Sequence, residues 1–211
     1  VELNLGAWVF PKYPIVAGTT YDSELEKAAR EGLARRNIAP NEDIEKRLTY
    51  ELSIISKDGK YSLAANPVTE LDSYLGEKIS AGSKAEFLQI NTSISTSEGL
   101  STKLRVTGDG GSYFEFGFDA KSKSIFVERS NAWNEIPSSH IHSAPVPSNE
   151  KIIDIYAIVD RASVEIFAAA GTLVITDLLF LTGANRSVTF EIAEGCQPPR
   201  SIAVRAIAPR R

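Results

Sequence analysis

The sequence predicts an all-β protein, a two-sheet antiparallel β-sandwich with one short helix in an N-terminal linker segment. Three observations carry the prediction. From Leu48 onward, short runs recur at 49–55, 60–65, 84–94, 100–107, 112–119, 123–129, 151–159, 162–168, 172–180, 187–193 and 200–207, the spacing of a sandwich or barrel. Between them stand turn-forming clusters, among them Lys57-Asp58-Gly59-Lys60, Gly108-Asp109-Gly110-Gly111 and Thr182-Gly183-Ala184-Asn185. Within them, Phe114, Phe116 and Phe118 alternate with Tyr113, Glu115 and Gly117, the period of a strand with one buried face. No repeat of propeller or solenoid type is present.

Taken in order, residues 1–47 form a linker or N-terminal arm and 48–211 the sandwich. The first 22 residues carry Trp8, Phe10, Pro11, Tyr13, Pro14 and Tyr21. The prolines argue against a central strand or helix, so the segment reads as an extended arm anchored by its aromatic rings on a neighbouring surface. Ser23 to Arg36 reads as a helix. Ser23 and Glu26 have capping-box spacing, Leu25, Ala28, Ala29 and Leu33 recur at helical spacing, and Pro40 ends the segment. Asn41 to Arg47 is charged and reads as exposed.

The most informative stretch runs from Asp160 to Phe180. Val164 and Ile166 alternate with Ser163, Glu165 and Phe167, as on a strand with one buried face. Ala168-Ala169-Ala170-Gly171 reads as a hairpin connection ending in a glycine that accepts positive φ. Leu173 to Phe180 is almost continuously apolar, as in the middle of a packed sandwich. Residues 130–149 lack strand character and read as a long loop, a place to look for contacts.

Composition narrows the functional classes. Net charge is −4, from 23 Lys and Arg against 27 Asp and Glu, and the basic residues are scattered apart from Arg210-Arg211. A nucleic-acid surface would show a basic stripe, and none is visible. No apolar run approaches the length of a membrane span, so the sequence does not read as an integral membrane protein. With Val1 first and no methionine, it reads as a processed protein, a fragment or an excised domain. Cys196 is the only cysteine, so no internal disulfide is expected. Asn91-Thr92-Ser93 and Asn185-Arg186-Ser187 are acceptor sequons for N-linked glycans, with Asn91 and Asn185 the candidate sites.

Three segments together are similar to one known module. They are VDRASVEIFAAAGTLVITD (Val159 to Asp177), YFEFGFDAKSKSIFVERS (Tyr113 to Ser130) and YELSIISKDGKYSLAANPVTEL (Tyr50 to Leu71). They resemble the C-terminal β-sandwich of glycoside hydrolase family 32, the family of invertases, inulinases, levanases and fructosyltransferases. The family usually has Asp-Arg where this chain has Glu128-Arg129, and residues 1–46 have no counterpart in it. The resemblance covers roughly residues 48 to 207. It implies a lectin-like sandwich packed on a catalytic five-bladed propeller, in the same or a companion chain. It further implies a part in stability, in homodimer formation or in substrate access, contact with sucrose or fructan, an extracellular location, and no cofactor.

The chemistry of that family is absent from this chain. Glycoside hydrolysis needs two facing carboxyl groups. The Asn-Asp-Pro-Asn, Arg-Asp-Pro and Glu-Cys motifs that the resemblance would require are not found, and Glu194-Gly195-Cys196 carries an inserted glycine. No catalytic residue is therefore assigned. The signature residues Asp160, Arg161, Ser163, Glu165 and Phe167 read as structural, with Asp160 and Arg161 holding a strand entrance by ion pairing and backbone hydrogen bonds. Asp177 is tempting as an acid for the same reason as Asp160 and Glu165, and is read the same way. His140 and His142 have the spacing of two ligands on one strand face, but no third ligand lies near them in sequence, so no metal is expected. Trp133, flanked by Asn131 and Asn134, is the candidate carbohydrate or interface contact, since sugars pack on exposed aromatic faces beside hydrogen-bonding groups. The same three residues support the alternative reading, a free-standing, lectin-like carbohydrate-binding module.

Overall fold

A computed structural model describes residues 8–9, 50–57, 59–80, 82–132, 141–147, 149–191 and 195–207. The helix read over 23–36 and nearly all of the 1–47 arm lie outside the described residues, as do Trp133, Asn134 and His140. The strands are β1 (Trp8–Val9), β2 (Tyr50–Lys57), β3 (Lys60–Pro67), β4 (Leu75–Ile79), β5 (Lys84–Ala85), β6 (Leu88–Ser95), β7 (Thr102–Gly108), β8 (Tyr113–Asp119), β9 (Ser124–Glu128), β10 (Ile141–Pro145), β11 (Ile152–Val159), β12 (Ser163–Ala168), β13 (Leu173–Leu178), β14 (Arg186–Glu191) and β15 (Ser201–Ile207).

Two sheets pack face to face, the predicted sandwich. One has seven strands in the order β1-β13-β12-β11-β6-β15-β4, the other six in the order β10-β9-β8-β7-β14-β5. Among the described strands pairing is antiparallel except for β1, which runs parallel along β13 with Trp8 beside Val174 and Val9 beside Ile175, and a lone parallel bridge joins Ser101 to Cys196. Among the described residues, no helix is long and apolar enough to cross a membrane.

The core lies between the two sheets. The alternation in β8 places Phe114, Phe116 and Phe118 inward, all essentially inaccessible, against Ile90 and Ile94 of β6, Ile155 of β11 and Ile166 of β12. Each such side chain contributes about 1.5–3 kcal/mol by leaving water.

Four expectations are revised. The run 84–94 is two strands: Lys84 and Ala85 pair with β14 in one sheet, then Leu88 to Ser95 pair with β11 and β15 in the other. A chain that changes sheets keeps its apolar character, so periodicity alone joins the pieces. Residues 141–145, read as loop, form β10 along the edge of the six-stranded sheet beside β9. After Ile141 the segment is His142, Ser143, Ala144 and Pro145, a run with little strand preference, and the pairing is made by the tertiary fold. Leu75–Ile79, absent from the expected strands, is β4 beside β15. Finally, β12 is buried on both faces, since Glu165 and Phe167 are covered as well as Val164 and Ile166. Phe167 packs outward with Ala65, Ile158 and Val174, and Leu71 packs against that cluster.

Ala65 belongs to a third element, the two-stranded sheet of β2 and β3 closed at Gly59. This hairpin seats on the β12–β13 connection at Gly171, where φ is +86° and a Cβ would lie 2.6 Å from the Ala65 carbonyl oxygen. Both the backbone angle and the close approach call for glycine there. Ala169 and Ala170 also hold positive φ (50° and 56°), a strain the alanines carry with the turn.

The β8–β9 hairpin is closed by Asp119, whose Oδ2 accepts hydrogen bonds from the Ser122 hydroxyl at 2.6 Å and the Ser122 N–H at 2.9 Å. The Ser122 hydroxyl bond above all, then backbone N–H groups, hold the Asp119 carboxyl below its ordinary 3.8 against partial burial. A carboxyl depressed in the folded state stabilises fully above its unfolded value and loses that contribution as pH falls through the lower folded value. Asp119→Asn should therefore flatten the acid side of the stability curve. The check is the unfolding midpoint at about pH 6 and about pH 3: the wild type should fall more than the variant between them.

Candidate functional site

The entrance to β12 is built by Asp160. Its Oδ1 accepts hydrogen bonds from the N–H groups of Ala162 (2.7 Å) and Ser163 (2.5 Å), and its own N–H donates to the Ser163 carbonyl (3.1 Å). This is a side chain capping its own turn, the local preference of aspartate. Arg161 reaches the other way, donating through Nε to Glu86 Oε1 at 2.5 Å and pairing with it again through Nη2, with the guanidinium 5.7 Å from the Phe87 ring centre.

Arg186 lies buried behind this corner, donating to the carbonyls of Gly183 (3.1 Å) and Arg161 (3.4 Å). Burial depresses its guanidinium, while Asp160 and Glu86 oppose the shift. Asn185, a sequon residue, donates its side-chain amide to Asp109 Oδ2 at 2.9 Å, beside the Lys84–Asp109 pair at 2.7 Å. The Lys84 and Asn185 side chains hold the Asp109 carboxyl below its ordinary value.

The three candidate acids are not brought together. Glu165 lies on the outer face of the seven-stranded sheet, opposite Thr176 and Ile158. Asp177 stands opposite Val164 on the inner face, and Asp160 sits at the strand end. Carboxylates on opposite faces of a sheet cannot flank one glycosidic bond.

Asp177 instead anchors a buried charge network. Its Oδ1 lies 3.1 Å from Arg129 Nε and its Oδ2 2.7 Å from His142 Nδ1, with side chains 3%, 4% and 12% exposed respectively. Arg129 also donates to the Leu178 carbonyl at 3.2 Å. Burial lowers the Arg129 guanidinium and Asp177 opposes the shift. The network joins the end of β9 and the edge strand β10 to β13 in the opposite sheet. It acts as a clamp across the sandwich. The sequence singled out Asp177 and His142 separately, and Arg129 only within the resemblance. Nothing in their spacing signals a contact made across two sheets.

Among the described residues, no group of three or more His, Cys, Asp or Glu side chains could hold a metal ion. Asn131 is exposed, and its carbonyl accepts from the Tyr113 N–H at 3.2 Å. Ser163 is half-buried where β12 begins. Asn91 is exposed in the middle of β6.

The most unusual surface is the β2–β3 hairpin. Leu52, Ile54 and Tyr61 are 61%, 67% and 55% exposed, and the register (Leu52 with Ala65, Ile54 with Leu63, Ser56 with Tyr61) puts all three on one face. Such an exposed apolar face is uncommon on a two-stranded sheet, since a lone hairpin has little stability of its own.

Among solved structures, the fold is similar to exo-inulinase from Aspergillus awamori, at TM-score 0.57 and 16% identity, covering 76% of this chain and 35% of that one. It is likewise similar to a Bombyx mori family 32 β-fructofuranosidase, at TM-score 0.56 and 17% identity over 78% and 32% of the two chains. Among curated proteins, the chain is similar to two from Bacillus subtilis (strain 168). Identity to a levanase is 25% over 134 residues, 60% of this chain and 20% of that protein. Identity to a levanbiose-producing levanase is 24% over 171 residues, 74% and 33%. The chain thus spans between a fifth and a third of the length of these relatives. Residues 54–203 match the profile of the glycosyl hydrolases family 32 C-terminal domain, and the chain belongs to that family.

Proposed function

We propose that this sandwich works as the C-terminal part of an enzyme that hydrolyses or transfers fructosyl units, packed on a catalytic propeller through its β2–β3 hairpin. The observation that carries the reading is the face of Leu52, Ile54 and Tyr61, apolar and exposed on a two-stranded sheet. The names of the relatives, levanases among them, supply the substrate class, and the share of their length that lies outside the match leaves room for a catalytic domain.

In this reading the chain stabilises the propeller and shapes access to it, while the two facing carboxyl groups of the retaining mechanism belong to the propeller. Levan-type polymers are too large to enter a cell intact, which supports action outside it.

The test is native mass spectrometry of the protein as isolated from its source, followed by the same sample denatured. The expected result is this chain bound to, or continuous with, a larger polypeptide, and fructose released from sucrose, inulin or levan. Leu52→Asp combined with Ile54→Asp should weaken docking at least about a hundredfold, because it buries two unpaired carboxylates at the contact. Where the propeller lies on the same polypeptide, the pair of changes should split one thermal transition into two. A lone chain inactive on all three substrates would overturn the reading.

A further inference from the structure

The outer face of the seven-stranded sheet is divided into two halves. Toward β12 and β13 it is covered, with Ile158, Phe167 and Val174 packed against Ala65 and Leu71. Beyond Ile158 of β11 and the buried Gln89 of β6, the other end of β11, β6 and β15 is open beside β4, and forms a trough of about 430 Å³ lined by Lys78, Asn91, Ser93, Asp154, Ser201 and Ala203. The register builds the trough from two cross-strand rows: Asp154, Ser93 and Ser201 in one, Tyr156, Asn91 and Ala203 in the other.

The residue types are what make this face unusual. Asn, Asp and Ser are disfavoured in strands, and here they occupy neighbouring central strands where Thr, Val or Tyr would pair better. Such departures from local preference, with no packing gained in return, are expected where a surface has a task. Their short side chains also create the depression, with Lys78 at its β4 side. Tyr156 stands at the seam, edge-on to Phe167 with ring centres 6.3 Å apart. Burial first, then Asp72, push its phenol up to about 12 against Arg205, so it remains a neutral hydroxyl at any physiological pH.

The polar groups are fixed yet unspent. The Ser93 hydroxyl donates to Asp154 Oδ1 and holds the carboxylate in place. Asp154 Oδ2 and the Asn91 side-chain amide take no hydrogen bond from the described residues. Asn91 and Asp154 are diagonal neighbours on one face, roughly 7–8 Å apart. An amide offers both donors and an acceptor, a carboxylate accepts, and serine hydroxyls do either. Lys78 and Asp154 balance in charge, so the trough favours no ion of either sign. A neutral ligand rich in hydroxyl groups matches this set.

We propose that the trough is a binding subsite for a neutral oligosaccharide and, resting on the fructosyl reading above, for a stretch of fructan. The full chain, produced in a host that does not attach N-linked glycans, is titrated calorimetrically with levan-derived, inulin-derived and dextran-derived oligosaccharides. The expected result is saturable binding of a fructan, weakened about tenfold or more by Asp154→Ala and by Asn91→Ala. Both side chains are exposed, so the unfolding midpoint of each variant should match the wild type.

No binding of any of the three saccharides, or binding unchanged in both variants, overturns the proposal. A glycan attached to Asn91 in the protein isolated from its source does so too, because it would fill the trough. The two readings fail separately. Dextran binding that Asp154→Ala abolishes, with no fructan binding, upholds the subsite and removes its fructan assignment. Fructose release without oligosaccharide binding at the trough upholds the enzyme reading and removes the subsite.

Discussion

Asp177→Ala is expected to lower the unfolding free energy by about 3–5 kcal/mol, because it removes a buried carboxylate that pairs with the buried Arg129 guanidinium. Arg129 is 4% exposed and Asp177 3%, so water cannot replace the lost partner without opening the sandwich. For a chain of this size the midpoint should fall by on the order of 10 °C. The cause can be separated from a simple packing defect. Arg129→Met combined with Asp177→Leu removes both charges and keeps apolar volume, and should recover most of the loss, since a buried pair replaced by apolar groups is often neutral or better. His142→Ala alone should cost less, because that side chain is partly exposed and its loss leaves the Arg129–Asp177 pair in place. If Asp177→Ala and the double replacement were equally destabilised in urea unfolding, the network would not be held by charge.

Phe116→Ala should cost about as much, roughly 3–5 kcal/mol, by a different route. Phe116 is fully buried at the centre of β8, its ring stacked on that of Phe114 with centres 6.0 Å apart. Its cross-strand neighbours are Leu104 on β7 and Val127 on β9, both also inaccessible. Truncation leaves a cavity between two sheets whose backbones are tied by continuous ladders, so the walls relax little and the full cavity term is felt. Phe116→Leu keeps most of the volume and should cost well under half as much. Guanidinium unfolding of the three proteins, with similar m-values required for the comparison, checks the order. Equal stability of Phe116→Ala and wild type would mean that the core is not centred on β8.

Both predictions begin from residues that the sequence marked, yet they differ in how much of the reason was legible there. Phe114, Phe116 and Phe118 declare themselves by period alone, because a strand turns alternate side chains to opposite faces whatever it pairs with. Asp160 does so too: its bonds to Ala162 and Ser163 lie within three residues, and local geometry suffices. Asp177 does not. Its partners Arg129 and His142 lie 48 and 35 residues away, brought in from the opposite sheet. A sequence read locally cannot weigh such a contact against simple exposure.

The same division runs through the strands. The sequence by itself determined the all-β class, most of the strand positions, the tight turns at Gly59, Gly111 and Gly171 and the inward phenylalanines, because each rests on interactions within a few residues. The tertiary structure alone decided four other features. It moved the chain from one sheet to the other after Ala85, and it recruited Ile141–Pro145 and Leu75–Ile79 as strands of low intrinsic preference. It covered Phe167 with the β2–β3 hairpin while leaving Asn91 and Asp154 open on the same sheet face. Periodicity states which side chains share a face, but only the packing of distant segments settles which part of that face meets protein and which meets water.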